Sequence, residues 1–290
     1  MDLTNWRKHI DRVVADEGQW LGILDENGLP LLELGGVISV TFPKARLTAS
    51  SVEVEVSVQP GDRVLDELVG NGLGVQDSTG ALVPANGPTR LLMMVRSDGQ
   101  RRAATIIYTV VAGKSAPSTL TIHALDLLDG LAWWPCPSIP AEWKRAAFTE
   151  WRTDASGVTY VLPRELAQVR LATKADGYTM DGPAVSTVRN LIQDSLDAVN
   201  KLYGWDNQPH AVVAYDTQSD TSDRVLIRVN DDPVLDTVAS ACKVAGVGID
   251  VSLWWPGDPP ILCRNSVETV AAHSWAHPIQ IIHVNKIEEV

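Results

Sequence analysis

The sequence predicts an α+β, β-rich fold, and three observations carry that expectation. Residues 19–123 alternate apolar and polar side chains in short runs separated by close turns, which is the period of half-buried strands. Two stretches of the second half, 185–203 and 233–245, place apolar residues at helical spacing, and each is followed by a glycine, Gly204 or Gly246. Six or more successive strands with short turns imply a barrel or sandwich rather than βαβ units. The expected organisation is a docking arm over 1–18, a β-barrel-like domain over 19–130, a Trp- and Pro-rich connecting segment over 131–180 and a second α+β domain over 181–290.

The elements come in order. Leu3, Trp6, Ile10, Val13 and Val14 form one helical stripe opposite Arg7, Lys8, Asp11 and Arg12, and Gly18 ends it. A hairpin occupies 20–34, with Asn27-Gly28 expected to supply the positive φ angles of a tight turn. Gly35-Gly36 then bends the chain into a strand over 37–42. In 51–58, Val52, Val54, Val56 and Val58 alternate with Ser51, Glu53, Glu55 and Ser57, the pattern of a sheet with one buried and one wet side. Strands over 90–96, 102–112 and 118–123 complete the antiparallel series, with Ser97-Asp98-Gly99 as a hairpin turn. Residues 60–88, containing Gly61, Gly70, Gly72, Gly74, Gly80 and Gly87, read as a mobile loop, and 131–180 shows no clear period.

In the second domain Pro183 precedes the 185–203 stripe. Asp232-Pro233 reads as an N-cap with proline at the first helical position, sending Leu235, Val238, Cys242 and Ala245 inward. Strands are expected over 211–215, 224–229, 248–254, 261–264 and 279–284, forming a mostly antiparallel sheet.

The chain of 290 residues is long enough for one large domain or two ordinary ones. Its three cysteines, Cys136, Cys242 and Cys263, lack metal-ligand spacing and are expected as reduced thiols, with Cys136 between two prolines the more exposed. The polar N-terminus does not read as a signal peptide, and no apolar run approaches the roughly 20 residues of a membrane span. A soluble protein made in a reducing compartment is expected. The net charge of −12 argues against general nucleic-acid binding, which needs a basic footprint. Its small basic pairs, such as Arg101-Arg102 and Lys144-Arg145, read as solvated surface.

Chemistry-bearing patterns stay at background level. His273 and His277 have the i, i+4 spacing of a zinc pair but no intervening Glu and no third ligand, and Pro278 follows at once. There is no Gly-x-Ser-x-Gly elbow, and Gly70-Asn-Gly-Leu-Gly74 lacks the Lys-Ser/Thr of a phosphate loop. Asp216, Asp220 and Asp223 lie in a polar loop without the Gly and closing Glu of a calcium site. Asp126 and Asp129 beside Trp133 and Trp134 superficially suit a glycosidase acid near a sugar platform. No catalytic residue, cofactor or metal ligand is expected, and the chain reads as a non-enzyme.

What stands out is the tryptophan content, ten in all. Trp133-Trp134-Pro135 and Trp254-Trp255-Pro256 both follow regular elements, and rigid aromatics on proline-fixed corners suit contact surfaces because little side-chain entropy is lost on ordering them. Trp6 and Trp20 fall on apolar periods. The candidate interface set is Trp6, Trp133, Trp134, Trp254 and Trp255, with burial in the core, a partner surface and a glycan platform all open to the corner pairs.

Three segments carry a family resemblance: Trp6-Arg-Lys-His-Ile-Asp-Arg12 with the strand and Asp-x-x-Gly turn after it; Thr121-Ile-His-Ala-Leu-Asp-Leu-Leu-Asp-Gly-Leu131 with its Trp-Trp-Pro-x-Pro; and 233–260, ending Trp-Trp-Pro-Gly-Asp-Pro-Pro. In these the chain resembles the minor tail proteins of siphophages infecting actinobacteria, which belong with the baseplate-hub proteins of tailed phages. The resemblance implies two hub-type β-barrel or sandwich domains with inserted amphipathic helices, assembled as a homotrimeric ring that closes the tail tube. It implies contacts with distal tail and tape-measure proteins, passage of DNA without specific binding, and a place in the virion tail tip after assembly in the host cytoplasm. An acidic lumen would then repel sliding DNA. The alternatives are a carbohydrate- or receptor-binding tail module and, less favoured, a cell-wall hydrolase.

Overall fold

A computed structural model describes residues 2–70, 75–76, 82–83, 88–172, 178–266 and 269–287. The chain is α+β and β-rich, 24% helical and 41% strand. It divides into two compact units: residues 1–129 with 251–258 and 275–279, and residues 130–250 with 259–274 and 280–290.

The first unit opens with α1 (Leu3–Glu17), capped at its start by the Asp2 carboxylate, which accepts from the Asn5 amide, and stopped by Gly18 at φ 82°. Its strands are β1 (Gln19–Leu24), β2 (Pro30–Glu33), β3 (Val37–Thr41) and β4 (Ser51–Ser57), followed by α2 (Arg63–Leu68). After the short pair β5 (Val75–Gln76) and β6 (Leu82–Val83) come β7 (Leu91–Arg96), β8 (Arg101–Ala112) and β9 (Thr119–Asp126). Seven strands form one sheet in the order β2-β1-β7-β8-β9-β4-β3, with every pairing antiparallel. Among the described residues β2 and β3 have free outer edges, so the sheet is open and does not close into a barrel.

The expected valine alternation in β4 is present: Val52, Val54 and Val56 are buried while their neighbours face outward. The sheet as a whole, however, is not one-sided. Leu21, Ile23, Leu92 and Met94 join the β4 valines in one core. Trp20, Leu24, Leu91 and Met93, on the opposite face of the same strands, join Ile10 and Val13 of α1 with Leu253 and Trp255 in a second. The central strands β1 and β7 therefore bury both faces, because α1 and the 251–258 segment cover the side expected to be wet.

Two local expectations change with the structure. The first hairpin turns through five residues, 25–29, in which the Asp25 carboxylate accepts from the Asn27 and Leu29 amides. Gly28 alone is left-handed, at φ 83°. Asn27 does not share that conformation because the Gly28 amide closes a turn onto the Asp25 carbonyl, a loop in which only the residue after the turn is left-handed. Within 60–88, read as loop, 63–68 is helix: Val64, Leu65, Leu68 and Val69 pack against the β4-side core. The glycines at 72, 74, 80 and 87 lie outside the described residues.

The second unit takes in α3 (Asp129–Trp133) from Gly130 onward, then α4 (Pro140–Trp143), β10 (Phe148–Thr153), β11 (Thr159–Ala167) and β12 (Tyr178–Pro183). Next come α5 (Ala184–Tyr203), β13 (Ala211–Val213), β14 (Arg224–Val229) and α6 (Val234–Val244). The last strands are β15 (Val247–Trp254), β16 (Ile261–Ser266), β17 (Thr269–His273) and β18 (Ile279–Lys286). The segment 131–180, without readable period, thus holds two short helices and a hairpin. Instead of one antiparallel sheet there are small ladders: β10-β11, β12-β14, β16-β17 and the three-stranded β13-β18-β15. The β13–β18 pairing is parallel.

Both expected helices are present. In α5 the stripe Val188, Leu191, Ile192, Leu196 and Val199 is buried and Gly204 caps the end at φ 72°. In α6 Pro233 is itself the N-cap residue, at φ −55° and ψ 150°, so the helix begins one residue later than expected. The Val234 amide is satisfied by the Trp134 carbonyl. No helix of the described residues is long and apolar enough to cross a membrane.

Gly22 tests the two-sided packing of β1. A Cβ there would fall within the Trp20 indole and 2.8 Å from the Leu32 carbonyl oxygen. Gly22→Ala is expected to destabilise the protein by about 1–3 kcal/mol, the cost of overpacking, read from the urea midpoint.

Candidate interaction surfaces

The two Trp-Trp-Pro corners have opposite fates. Trp254 and Trp255, expected as interface candidates, are 4% and 1% exposed inside the single chain. Trp254 meets Trp275 edge to face at 5.3 Å, and the Trp255 indole donates to the Gly28 carbonyl at 2.8 Å. The corner after them is a tight turn with proline second and glycine third: Asp258 donates its amide to the Trp255 carbonyl and Gly257 stands at φ 95°. This turn aims Asp258 back at its own origin, where the carboxylate accepts from the Trp255 amide at 2.8 Å.

Two guanidinium groups complete the corner. Arg101 Nη1 and Arg7 Nη2 donate to Asp258 at 2.7 and 2.8 Å. Their Cζ atoms lie 4.6 and 5.7 Å from the Trp255 ring centroid, within the range of cation–π attraction. Burial pushes the Asp258 carboxyl up, but the hydrogen bonds and charge of Arg101, with those of Trp255 and Arg7, outweigh it and leave the group below its ordinary value. This corner is an internal clamp. The reason is geometric: the strand delivers Trp255 to a sheet face that needs covering, and the turn brings in the charge that holds it.

Trp133 is the reverse case, 79% exposed at the end of α3. Trp134 and Trp6 are half-buried. Trp6 lies on the α1 side of the sheet, edge to face with Trp20 at 6.2 Å. Of the five candidates, only Trp133 offers most of its surface.

The larger uncovered apolar surfaces come from residues the sequence did not single out. The β10–β11 hairpin pairs with no other strand among the described residues. Val161 is 100% exposed, Leu162 75%, and Val158, Phe148 and Leu166 are exposed as well. Its tip is closed by local hydrogen bonds: the Asp154 carboxylate accepts from the Ser156 amide and hydroxyl and the Val158 amide, and Gly157 is left-handed. Its base rests on Tyr203, whose ring centroid lies 5.0 Å from that of Phe148. Tyr203 stacks on Trp205 at 4.6 Å, and Trp205 meets His210 edge-on. In this row only Tyr203 and Trp205 stack face to face, while Phe148 is tilted by 50° against Tyr203. The first unit has a comparable surface on β8, where Ile107, Tyr108, Val110 and Val111 are exposed.

A polar cleft of about 560 Å³ in the second unit lies beside the start of α5. Asp220 occupies that helix terminus, accepting from the Ser186 amide and hydroxyl at 2.7 and 2.6 Å. Burial raises its carboxyl, but the hydrogen bonds from Ser186 and Ser222 bring it down to about 2. Asp216 pairs with the buried Arg189 at 2.9 Å. Two of the three aspartates of the expected polar loop are thus used structurally. Arg264 is held by Asp194 and Asp197 at 2.7 and 2.8 Å.

The other chemical candidates resolve similarly. Asp126 ends β9 and accepts from the Ser50 amide, and Asp129 begins α3. His273 ends β17 and His277 sits in the bend beyond it, so the pair does not share a helical face. Among the described residues no group of three or more His, Cys, Asp and Glu could hold a metal ion. Cys136, expected exposed, is buried, because Pro135 bridges to Pro233 and the Cys136 amide donates to the Asp232 carbonyl. Burial pushes the three thiols up, Cys136 and Cys263 to about 11 and Cys242 to about 12, which makes them poor nucleophiles. No family model matches the chain, and no curated protein matches it.

The clamp makes a pH-dependent prediction. A carboxyl held below its unfolded value near 3.9 stabilises fully above that value, and the contribution is lost as the pH falls through the lower folded value. Asp258→Asn is expected to cost about 2 kcal/mol at neutral pH, a buried-pair loss reduced for partial exposure. The gap between parent and variant in thermal or urea unfolding narrows below about pH 4.

Proposed function

We propose that the chain is a structural component of a phage tail tip, of the baseplate-hub kind, working by self-association and by contact with neighbouring tail proteins. The reading rests on the resemblance in three segments and on one structural observation, the uncovered β10–β11 hairpin. A two-stranded hairpin is marginal in water by itself, and this one keeps its tip and base ordered while presenting Val161 and Leu162 to solvent. Such a preorganised arm loses little entropy on docking. Rigid projecting apolar surface is a feature of assembly parts, since a free monomer gains nothing by exposing it. In this reading the two compact units are the hub-type domains, and the net charge of −12 keeps unassembled copies apart until apolar contact overcomes repulsion.

The native mass of the purified chain, alone and with the remaining tail proteins, tests the reading. Multimers and incorporation into tails are expected. A chain that stays monomeric and never enters particles overturns it. Trp133→Ala is expected to change unfolding stability by no more than about 0.5 kcal/mol, as for other surface substitutions, while weakening incorporation into tails.

A further inference from the structure

We propose that the β10–β11 hairpin of one copy adds along the open half of β8 in a second copy of this chain, an inference that rests on the self-associating reading above. In the first unit β7 accompanies β8 only from Arg101 to Thr105, and among the described residues the last backbone bond on that side is the Ile106 amide donating to the Arg90 carbonyl. A bulge follows between Ile106 and Tyr108, and from there to Ala112 the strand stays paired with β9. Among the described residues its other edge is unpaired from 107 to 112. An exposed apolar edge of this kind is a template for another strand.

The hairpin is the matching donor. β10 has six residues, the same length as the open stretch of β8, or about 20 Å of extended chain. β10 is the adding strand because Pro163 interrupts β11 and removes a ladder donor there, whereas β10 contains no proline. The areas also agree. The added β10 places Phe148 and the half-buried Trp151 beside Ile107, Tyr108, Val110 and Val111, while Val161, Leu162 and Leu166 lie on β11, one strand further out. At roughly 100 Å² for each apolar side chain, the four on β8 supply about half of the ~800 Å² per partner that a stable interface hides. The paired backbones and the second hairpin strand supply the remainder. Because donor and acceptor are different surfaces of one chain, the contact is heterologous and propagates head to tail, closing into a ring when its rotation permits.

Disulfide trapping in the full chain tests this directly, since the three native thiols are buried. Val110→Cys is combined in turn with Thr149→Cys, Glu150→Cys, Trp151→Cys and Arg152→Cys, followed by mild oxidation and denaturing electrophoresis. Strand addition predicts covalent dimers and higher oligomers with alternate β10 positions only, following the period of two. Val110→Lys and Ile107→Asp, both at exposed positions of the open edge, should each weaken self-association about tenfold or more with unfolding stability unchanged. An oligomeric parent that gives no cross-links, cross-links only within one chain, or cross-links without alternation overturns the docking mode and leaves the tail-tip reading standing. A parent that is monomeric and absent from tails overturns the tail-tip reading itself.

Discussion

Residues from both ends of the sequence meet on one face of the seven-stranded sheet, and the Asp258 carboxylate holds them there. The constraint originates in β1 and β7, whose apolar side chains point both ways. Such strands cannot leave a side in water, so the face away from the β4 valines needs a lid. α1 supplies half with Ile10 and Val13, and Leu253 and Trp255 supply the rest. Apolar contact drives this closure but is not directional. The two arginines and the turn at 255–258 add direction, since Asp258 satisfies Arg7, Arg101 and the Trp255 amide together.

That arrangement explains why one short motif has two outcomes. Trp255 comes off a strand, where alternation sends it to the sheet face and the Pro256-Gly257 turn pins Asp258 beneath it. Trp133 stands at the end of a five-residue helix whose Leu131 is buried. Two residues further along a helix is a rotation of about 200°, so burying Leu131 turns Trp133 outward. The identical triplets differ in the element that precedes them.

Exposed apolar surface is concentrated on features that are ordered. The hairpin tip is locked by Asp154 and its base by Phe148 on Tyr203, and the open half of β8 is held on one side by β9. Order without burial suits a surface prepared for contact, in keeping with the tail-tip reading. The cysteines, the histidine pair and most of the aspartates considered for chemistry are instead absorbed by burial, strand ends and helix capping.

Much of the local structure was legible before any tertiary contact was known. The α1 stripe with Gly18, the β4 alternation and the α5 stripe with Gly204 each come from spacing and backbone preference within a few residues. The hairpin at 148–167 was not legible, because period marks burial and neither of its faces is buried. The two-sided burial of β1 and β7 was also hidden, since half of the cover, Leu253 and Trp255, lies about 230 positions away from β1. Local steric and periodic preferences settle which elements form and where they stop. Which faces are covered, which tryptophan is left outside and which strand edge stays open depend on partners distant in the chain, and only the folded arrangement brings those together.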